Sequence, residues 1–111
     1  MIEPNTIYFV GSGPGDPELI TLKAKKLLEN ADVVVYSGSL LNPKLLEFAK
    51  KDATLHDAAL LDRTKIYEIV RDSTKQGKLA IRFHDGDPSL FSTIREQIDK
   101  LNLDGINCKV V

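Results

Sequence analysis

Five short apolar runs alternate with amphipathic segments along this chain, and that alternation restricts the folds open to it. The runs cover residues 7–10, 33–36, 53–56, 79–83 and 106–111, the third being the weakest. Runs of this length between glycine, proline or polar turns are typical of buried strands. Strand and helix signals that alternate with short connections predict an α/β fold, with a mainly parallel five-stranded sheet and helices on both faces.

The segments between the runs carry helix signals. Gly15-Asp16-Pro17 and Gly86-Asp87-Pro88 each offer a capping residue followed by a proline suited to the first helical position, so a helix is predicted to start at both. A short helix is predicted after Asn42-Pro43, and another around 66–70 should end at Gly77 in a left-handed cap. The apolar positions expected to face the sheet are Ile20, Ala24, Leu27, Leu28, Ala31, Leu45, Leu46, Phe48, Ile66, Ile69, Val70, Leu90, Phe91, Ile94, Ile98 and Leu101.

Chain length and net charge limit the domain count and the kinds of partner that this protein can have. A chain of 111 residues is predicted to form one domain, 1–111. The net charge of −1, with lysines and arginines spread along the sequence, predicts neither a nucleic-acid nor a membrane partner. Neither a basic leader nor a long apolar run stands in the sequence, so the cytoplasm is the expected compartment. The single cysteine, Cys108, is expected to be a packed strand thiol.

The two glycine-containing turns, at 11–15 and at 84–88, are the candidates for ligand binding. Glycines allow close approach of the backbone to a ligand, and a helix start offers unpaired N–H groups. A dinucleotide fingerprint would need its third glycine where Asp16 stands, and no P-loop lysine motif exists. Both Gly-Asp-Pro turns follow strands and should lie at the carboxyl edge of the sheet, where α/β folds bind ligands. Helix capping alone remains the alternative for both turns.

No side-chain constellation predicts hydrolysis or a metal site. His84 and Asp85 follow the fourth apolar run, so contact of His84 with a substrate is conceivable, and His56 is a weaker candidate. The sequence has no metal-spaced cluster and no Ser/His/Asp order. We therefore assign neither a catalytic residue nor a metal ligand.

Three stretches resemble the tetrapyrrole (corrin and porphyrin) methylases. Residues 8–23, YFVGSGPGDPELITLK, are similar to the first signature of that family; residues 31–36 are similar to its second strand and residues 82–91, RFHDGDPSLF, to its second signature. Within the family, residues 37–43, 56–59 and 96–99 most resemble the branch that methylates carbon 11 of precorrin-4 or cobalt-precorrin-4 in cobalamin biosynthesis. Relatives that make sirohaem precursors usually carry an acid where Ser37 stands.

The resemblance implies an S-adenosylmethionine-dependent methyltransferase acting on a tetrapyrrole, usually a homodimer, in which this chain matches the N-terminal half of a two-domain enzyme. By position, the residues implied to contact the cofactor are Pro14, Asp85, Gly86, Asp87 and Leu90. Gly86-Asp87-Pro88 is expected to meet the cofactor directly, whereas Gly15-Asp16-Pro17 is expected to cap its helix and position Pro14. The chain alone is expected to hold only part of the site and to be inactive. The alternatives are another tetrapyrrole methylase, acting on uroporphyrinogen III or another precorrin, and a non-enzymatic ligand-binding domain.

Overall fold

Five parallel strands form one sheet in the computed structural model, which describes residues 2–11, 20–36, 43–84 and 91–111. The strands lie side by side in the order β3-β2-β4-β1-β5. Every pairing is parallel. This confirms the predicted five-stranded α/β fold. The strands are β1 (Thr6–Gly11), β2 (Val33–Tyr36), β3 (Thr54–Asp57), β4 (Ala80–His84) and β5 (Asn107–Val110).

Within the described residues, three α-helices and two short 3₁₀ helices connect the strands. They are α1 (Leu22–Asn30), α2 (Arg63–Lys75), α3 (Phe91–Leu103) and the 3₁₀ helices Pro43–Phe48 and Ala58–Leu60. The first 3₁₀ helix occupies the place of the predicted short helix after Pro43. The described part of α3 begins at Phe91, so the predicted helix start at Asp87 and Pro88 lies outside the described residues.

The start of α1 differs from the prediction. The Thr21 side chain accepts a hydrogen bond from the N–H of Ala24 at 3.1 Å, and its carbonyl accepts one from Lys25 at 3.0 Å. Thr21 therefore caps α1, and the prediction that Gly15-Asp16-Pro17 starts and caps this helix was wrong. Asp16 and Pro17 themselves lie outside the described residues. Local N-cap preferences rank aspartate above threonine, so the sequence pattern favours Asp16 and does not reveal the cap at Thr21.

The helices cover the sheet on both faces, as predicted. The core on one face joins α1 and the first 3₁₀ helix to the sheet. The core on the other face joins α2 and α3 to it. The predicted helix positions that are buried are Ala24, Leu27, Leu28, Ala31, Leu45, Ile66, Val70, Ile94 and Leu101. Those packed at the margins of the cores are Ile20, Leu46, Phe48, Ile69 and Ile98. The side chains of Leu90 and Phe91 lie outside the described part.

Asp32 ties together the amino ends of three strands. Its Oδ2 accepts a hydrogen bond from the N–H of Leu79 at 2.8 Å, and its Oδ1 lies 2.6 Å from the Lys50 Nζ. The Asp32 main chain donates to the Leu79 carbonyl and accepts from Thr54, both at 2.9 Å. These bonds link residues next to β2, β4 and β3. The hydrogen bond from Lys50 and then that from Leu79 hold the pKa of the carboxyl below its ordinary value.

Gly77 ends α2 in the left-handed conformation, with φ of +82°, as its sequence position predicts. Its N–H donates to the Thr74 carbonyl and that of Lys78 to the Ser73 carbonyl, each at 3.0 Å, which is the Schellman pattern. An added Cβ would contact nothing within 4 Å, so a substitution acts only through backbone conformation.

We therefore expect Gly77→Ala to lower the free energy of unfolding by about 1 kcal/mol. Gly77→Asn should cost less, because asparagine tolerates this conformation better. Urea denaturation of both variants measures the difference. Equal losses in the two variants would contradict a conformational cause.

Candidate functional site

The carboxyl ends of the central strands converge at one edge of the sheet. β4 lies between β1 and β2, with Gly11 paired to His84 and Tyr36 paired to Phe83. The chain after β1 leads to α1 on one face, and the chain after β4 leads to α3 on the other. Neighbouring strand ends whose connections diverge to opposite faces mark the usual ligand position in α/β sheets. This edge is the candidate site.

The predicted cofactor contacts Pro14, Asp85, Gly86, Asp87 and Leu90 all lie outside the described residues. The structure does place the residues from which their segments leave the sheet. Gly11 and His84 are register partners on adjacent strands. The segments that carry the two Gly-Asp-Pro turns therefore leave the sheet from neighbouring points.

His84 is the last residue of β4 and its side chain is half-buried. A Cβ added at Gly11 would lie 3.6 Å from the His84 Cε1, in ordinary van der Waals contact. The His84 imidazole therefore lies directly beside the Gly11 backbone at the end of β1, because glycine has no side chain. His56, the other histidine, lies on β3 and pairs with Val35 of β2. The structure places His84, not His56, at the point where the central strands end.

Arg82 is a polar residue of this region that the sequence analysis passed over. Its side chain is half-buried, and its Nη1 lies 3.4 Å from the Val35 carbonyl oxygen. The signal that could have revealed it is a charged residue at an alternate position of the apolar run 79–83.

Two polar side chains outside this edge, Tyr67 and Cys108, make contacts that stabilise the fold. The Tyr67 hydroxyl donates to the Asp104 carboxylate and lies 3.2 Å from the Lys100 carbonyl, which joins α2 to the last turn of α3. Burial, with the Asp104 contact, raises the pKa of Tyr67 to about 12. Burial also raises the pKa of the Cys108 thiol to about 11, in keeping with the predicted packed thiol.

The described ranges contain neither a cluster of metal ligands nor a membrane-spanning helix. They contain no group of three or more histidine, cysteine, aspartate or glutamate side chains placed to hold a metal ion. No helix within them is both long and apolar enough to cross a lipid bilayer.

Comparison with known proteins places the sequence among methylases. Residues 6–111 match the profile of the family described as Tetrapyrrole (Corrin/Porphyrin) Methylases. The cobalt-precorrin-4 C(11)-methyltransferase of Methanocaldococcus jannaschii is 47% identical over 95% of this chain and 40% of its own length. The precorrin-4 C(11)-methyltransferase of Pseudomonas aeruginosa is 41% identical over 96% of this chain and 42% of its own. The chain thus spans about two fifths of these curated relatives.

Solved structures agree with the sequence comparison. A cobalt precorrin-4 methyltransferase superposes with a TM-score of 0.89 at 36% identity, over 96% of this chain and 45% of that one. The uroporphyrin-III C-methyltransferase of Thermus thermophilus, complexed with S-adenosylhomocysteine, gives a TM-score of 0.76 at 32% identity, over 96% of this chain and 43% of that one. The described sheet and helices are therefore those of known methyltransferase structures.

Proposed function

Because this chain belongs to the tetrapyrrole (corrin/porphyrin) methylases, we propose that its protein methylates carbon 11 of precorrin-4 or cobalt-precorrin-4 in cobalamin biosynthesis, using S-adenosylmethionine. The observation that carries this proposal is the 47% identity to a cobalt-precorrin-4 C(11)-methyltransferase across 95% of the chain. Methylation of uroporphyrinogen III is the second candidate, supported by 39% identity to the C-methyltransferase of Bacillus subtilis.

We assign the cofactor to the carboxyl edge between β1 and β4, with Pro14, Asp85, Gly86, Asp87 and Leu90 as its contacts. Support comes from the register pairing of Gly11 with His84, from which both segments depart. The structure of the Thermus relative with S-adenosylhomocysteine adds support for a cofactor of this type. Glycine at position 86 would let the backbone approach a ligand where a side chain would intrude.

The proposed reaction requires the protein to align the two reactants more than to activate either of them. S-adenosylmethionine supplies a methyl group on a positively charged sulfur, which leaves with the bonding electron pair as the new carbon–carbon bond forms. The protein has to hold a nucleophilic ring carbon in line with that methyl group. Holding two reactants in a reactive geometry can lower a barrier by several kcal/mol. The two turn segments would form one side of this alignment, and we assign no catalytic side chain.

We expect the full-length protein that contains these residues to bind S-adenosylhomocysteine in calorimetry. Gly86→Val should weaken this binding by about tenfold or more, because a branched side chain at position 86 would keep the ligand away from the backbone. Leu103→Val is the control, since the Leu103 side chain is 88% accessible at the carboxyl end of α3, away from the carboxyl edge of the sheet. Methyl transfer from labelled cofactor to precorrin-4 and to uroporphyrinogen III then separates the two candidate substrates. Equal binding of S-adenosylhomocysteine and of simple nucleotides or phosphate would favour a non-enzymatic binding domain.

We further propose that the full-length enzyme is a cytoplasmic homodimer and that residues 1–111 alone fold but do not methylate. The expected inactivity of residues 1–111 alone is supported by the share of the relatives' length that the chain spans, about two fifths. Sedimentation equilibrium of the full-length protein tests the dimer. Robust turnover of a corrin precursor by residues 1–111 alone would contradict the incomplete site.

A further inference from the structure

The turn between α3 and β5 contains an aspartate followed directly by a glycine, Asp104-Gly105. Both residues are exposed, and Gly105 has a φ of +79°. An aspartyl-glycine bond is prone to rearrange, because glycine has no side chain to hinder attack of its backbone nitrogen on the aspartate carboxyl carbon. This turn therefore contains both groups that such a rearrangement needs.

The rearrangement of an aspartyl-glycine bond needs no reagent other than water. The Gly105 nitrogen forms a bond to the Asp104 Cγ, and the nitrogen proton and the carboxyl OH leave together as water, which closes a succinimide ring. Water then adds to the ring. When it breaks the bond between the nitrogen and the main-chain carbonyl carbon, the chain continues through Cγ. The aspartate has then become an isoaspartate, with one more carbon in the backbone.

The Tyr67 side chain restrains the carboxyl group that would be attacked. Its hydroxyl donates a hydrogen bond to the Asp104 Oδ2 and lies 3.2 Å from the Lys100 carbonyl oxygen. The Arg71 guanidinium carbon is 5.5 Å from the centroid of the tyrosine ring, and the Lys100 Nζ is 5.7 Å from it, both within the range of a cation–π contact. We call Tyr67, Arg71, Lys100 and Asp104 the tyrosine clamp. The clamp holds the carboxyl group against α2.

The Gly105 nitrogen, which would attack, is restrained as well. Its N–H donates to the Asn102 carbonyl at 3.1 Å, and the N–H of Ile106 donates to the Leu101 carbonyl at 3.0 Å. These two bonds form a Schellman cap at the end of α3. Attack on the Asp104 carboxyl requires the nitrogen to leave this cap and the carboxyl to leave Tyr67. The folded structure therefore restrains both reacting groups.

We propose that Asp104-Gly105 is a site of spontaneous isoaspartate formation and that the Tyr67 hydroxyl sets its rate. While the hydroxyl holds the carboxyl, the bond reacts only during local openings of the turn. Loss of the hydroxyl makes the carboxyl available more often, whether or not the protein binds a ligand.

Isoaspartate at position 104 would disturb the attachment of β5. The Asn5 Nδ2 donates to the Gly105 carbonyl at 2.8 Å, and the Asn107 N–H donates to the Asn5 carbonyl at 3.0 Å. An extra backbone carbon lengthens the turn between α3 and these bonds, so the cap and the Asn5 bonds cannot all keep their geometry. The rearrangement is therefore expected to weaken the pairing of β5 with β1.

The test follows residue 104 in the full-length protein during storage at neutral pH, for wild type and for Tyr67→Phe. Trypsin cleaves after Lys100 and Lys109, so the bond is analysed in the peptide 101–109, in which Asp104 is the sole aspartate. Electron-transfer fragmentation in the mass spectrometer distinguishes aspartate from isoaspartate in that peptide. The synthetic peptide 101–109 gives the rate without either restraint.

Tyr67→Phe should form isoaspartate about tenfold faster than wild type or more, because a hydrogen bond to a charged group stabilises the closed turn by at least that factor. The variant should remain slower than the synthetic peptide, since the Schellman cap still restrains the Gly105 nitrogen. Equal rates in wild type and Tyr67→Phe would overturn the proposal. So would a wild-type rate as fast as that of the peptide.

A second variant separates loss of the clamp from loss of global stability. Val34→Ala truncates a fully buried side chain of β2, in the core on the sheet face opposite α2 and α3. It lowers the stability and leaves the clamp in place. Below the unfolding transitions of both variants, Val34→Ala should form isoaspartate as slowly as wild type. An acceleration as large as that of Tyr67→Phe would trace the reaction to unfolding and overturn the role of the hydroxyl.

Discussion

Replacing Phe9 with alanine is expected to lower the free energy of unfolding by about 3–5 kcal/mol. Phe9 is fully buried in β1, which pairs with β4 on one side and with β5 on the other. Its ring belongs to the core that joins the sheet to α2 and α3. The truncation removes buried apolar surface and leaves a cavity bounded by strands that cannot collapse freely. Domains of this size are stable by about 5–15 kcal/mol, so the variant should lose a large share of its stability.

Urea denaturation followed by circular dichroism measures this loss. Phe9→Leu should cost less, because leucine keeps most of the buried volume. Leu22→Ala is the matched control: the Leu22 side chain is 76% accessible at the start of α1, and its truncation should change stability by less than about 0.5 kcal/mol. If Phe9→Ala and Leu22→Ala lost similar amounts, Phe9 would not lie in the core.

The strands were the most predictable part of the fold. Each apolar run of the sequence contains or overlaps a strand, and Gly77 has the left-handed conformation predicted for the cap of α2. Both signals are local, so the sequence alone carries them. Strand order was not predictable, because β4 inserts between β1 and β2 through pairings such as Ile7 with Ala80. Apolar periodicity records that a strand is buried but not which strand lies beside it.

The location of the candidate site was predictable from the sequence, but the residues that line it were not. Parallel strands put both Gly-Asp-Pro turns after strands that end at one edge, and the register of Gly11 with His84 agrees with that inference. Arg82 was missed because its significance depends on the neighbours Val35 and Phe9, which only the register supplies. The start of α1 was predicted wrongly because local cap preferences favour Asp16 over Thr21. The cofactor contacts themselves remain predictions.

Asp32→Ala is expected to lower the free energy of unfolding by about 2 kcal/mol at neutral pH. The substitution leaves the N–H of Leu79 without its carboxylate acceptor at the start of β4. The ion pair with Lys50 should contribute little, because the Asp32 side chain is 37% accessible and water screens the pair. Asp32→Asn keeps an oxygen that can accept from Leu79, so we expect it to lose less than Asp32→Ala.

The same contacts should make part of the stability depend on pH. Bonding to Lys50 and Leu79 lowers the pKa of Asp32 in the folded state, below an ordinary value of 3.8. Between the two pKa values the unfolded chain binds more protons at this site, so stability rises with pH there. The contribution is therefore complete above about pH 5 and is lost as the pH falls below 3.8 toward the folded-state pKa. Asp32→Asn cannot titrate, so its stability curve should converge on that of wild type in acid. Curves that stay parallel from pH 7 to the acid limit would show that Asp32 is not held ionised by these bonds.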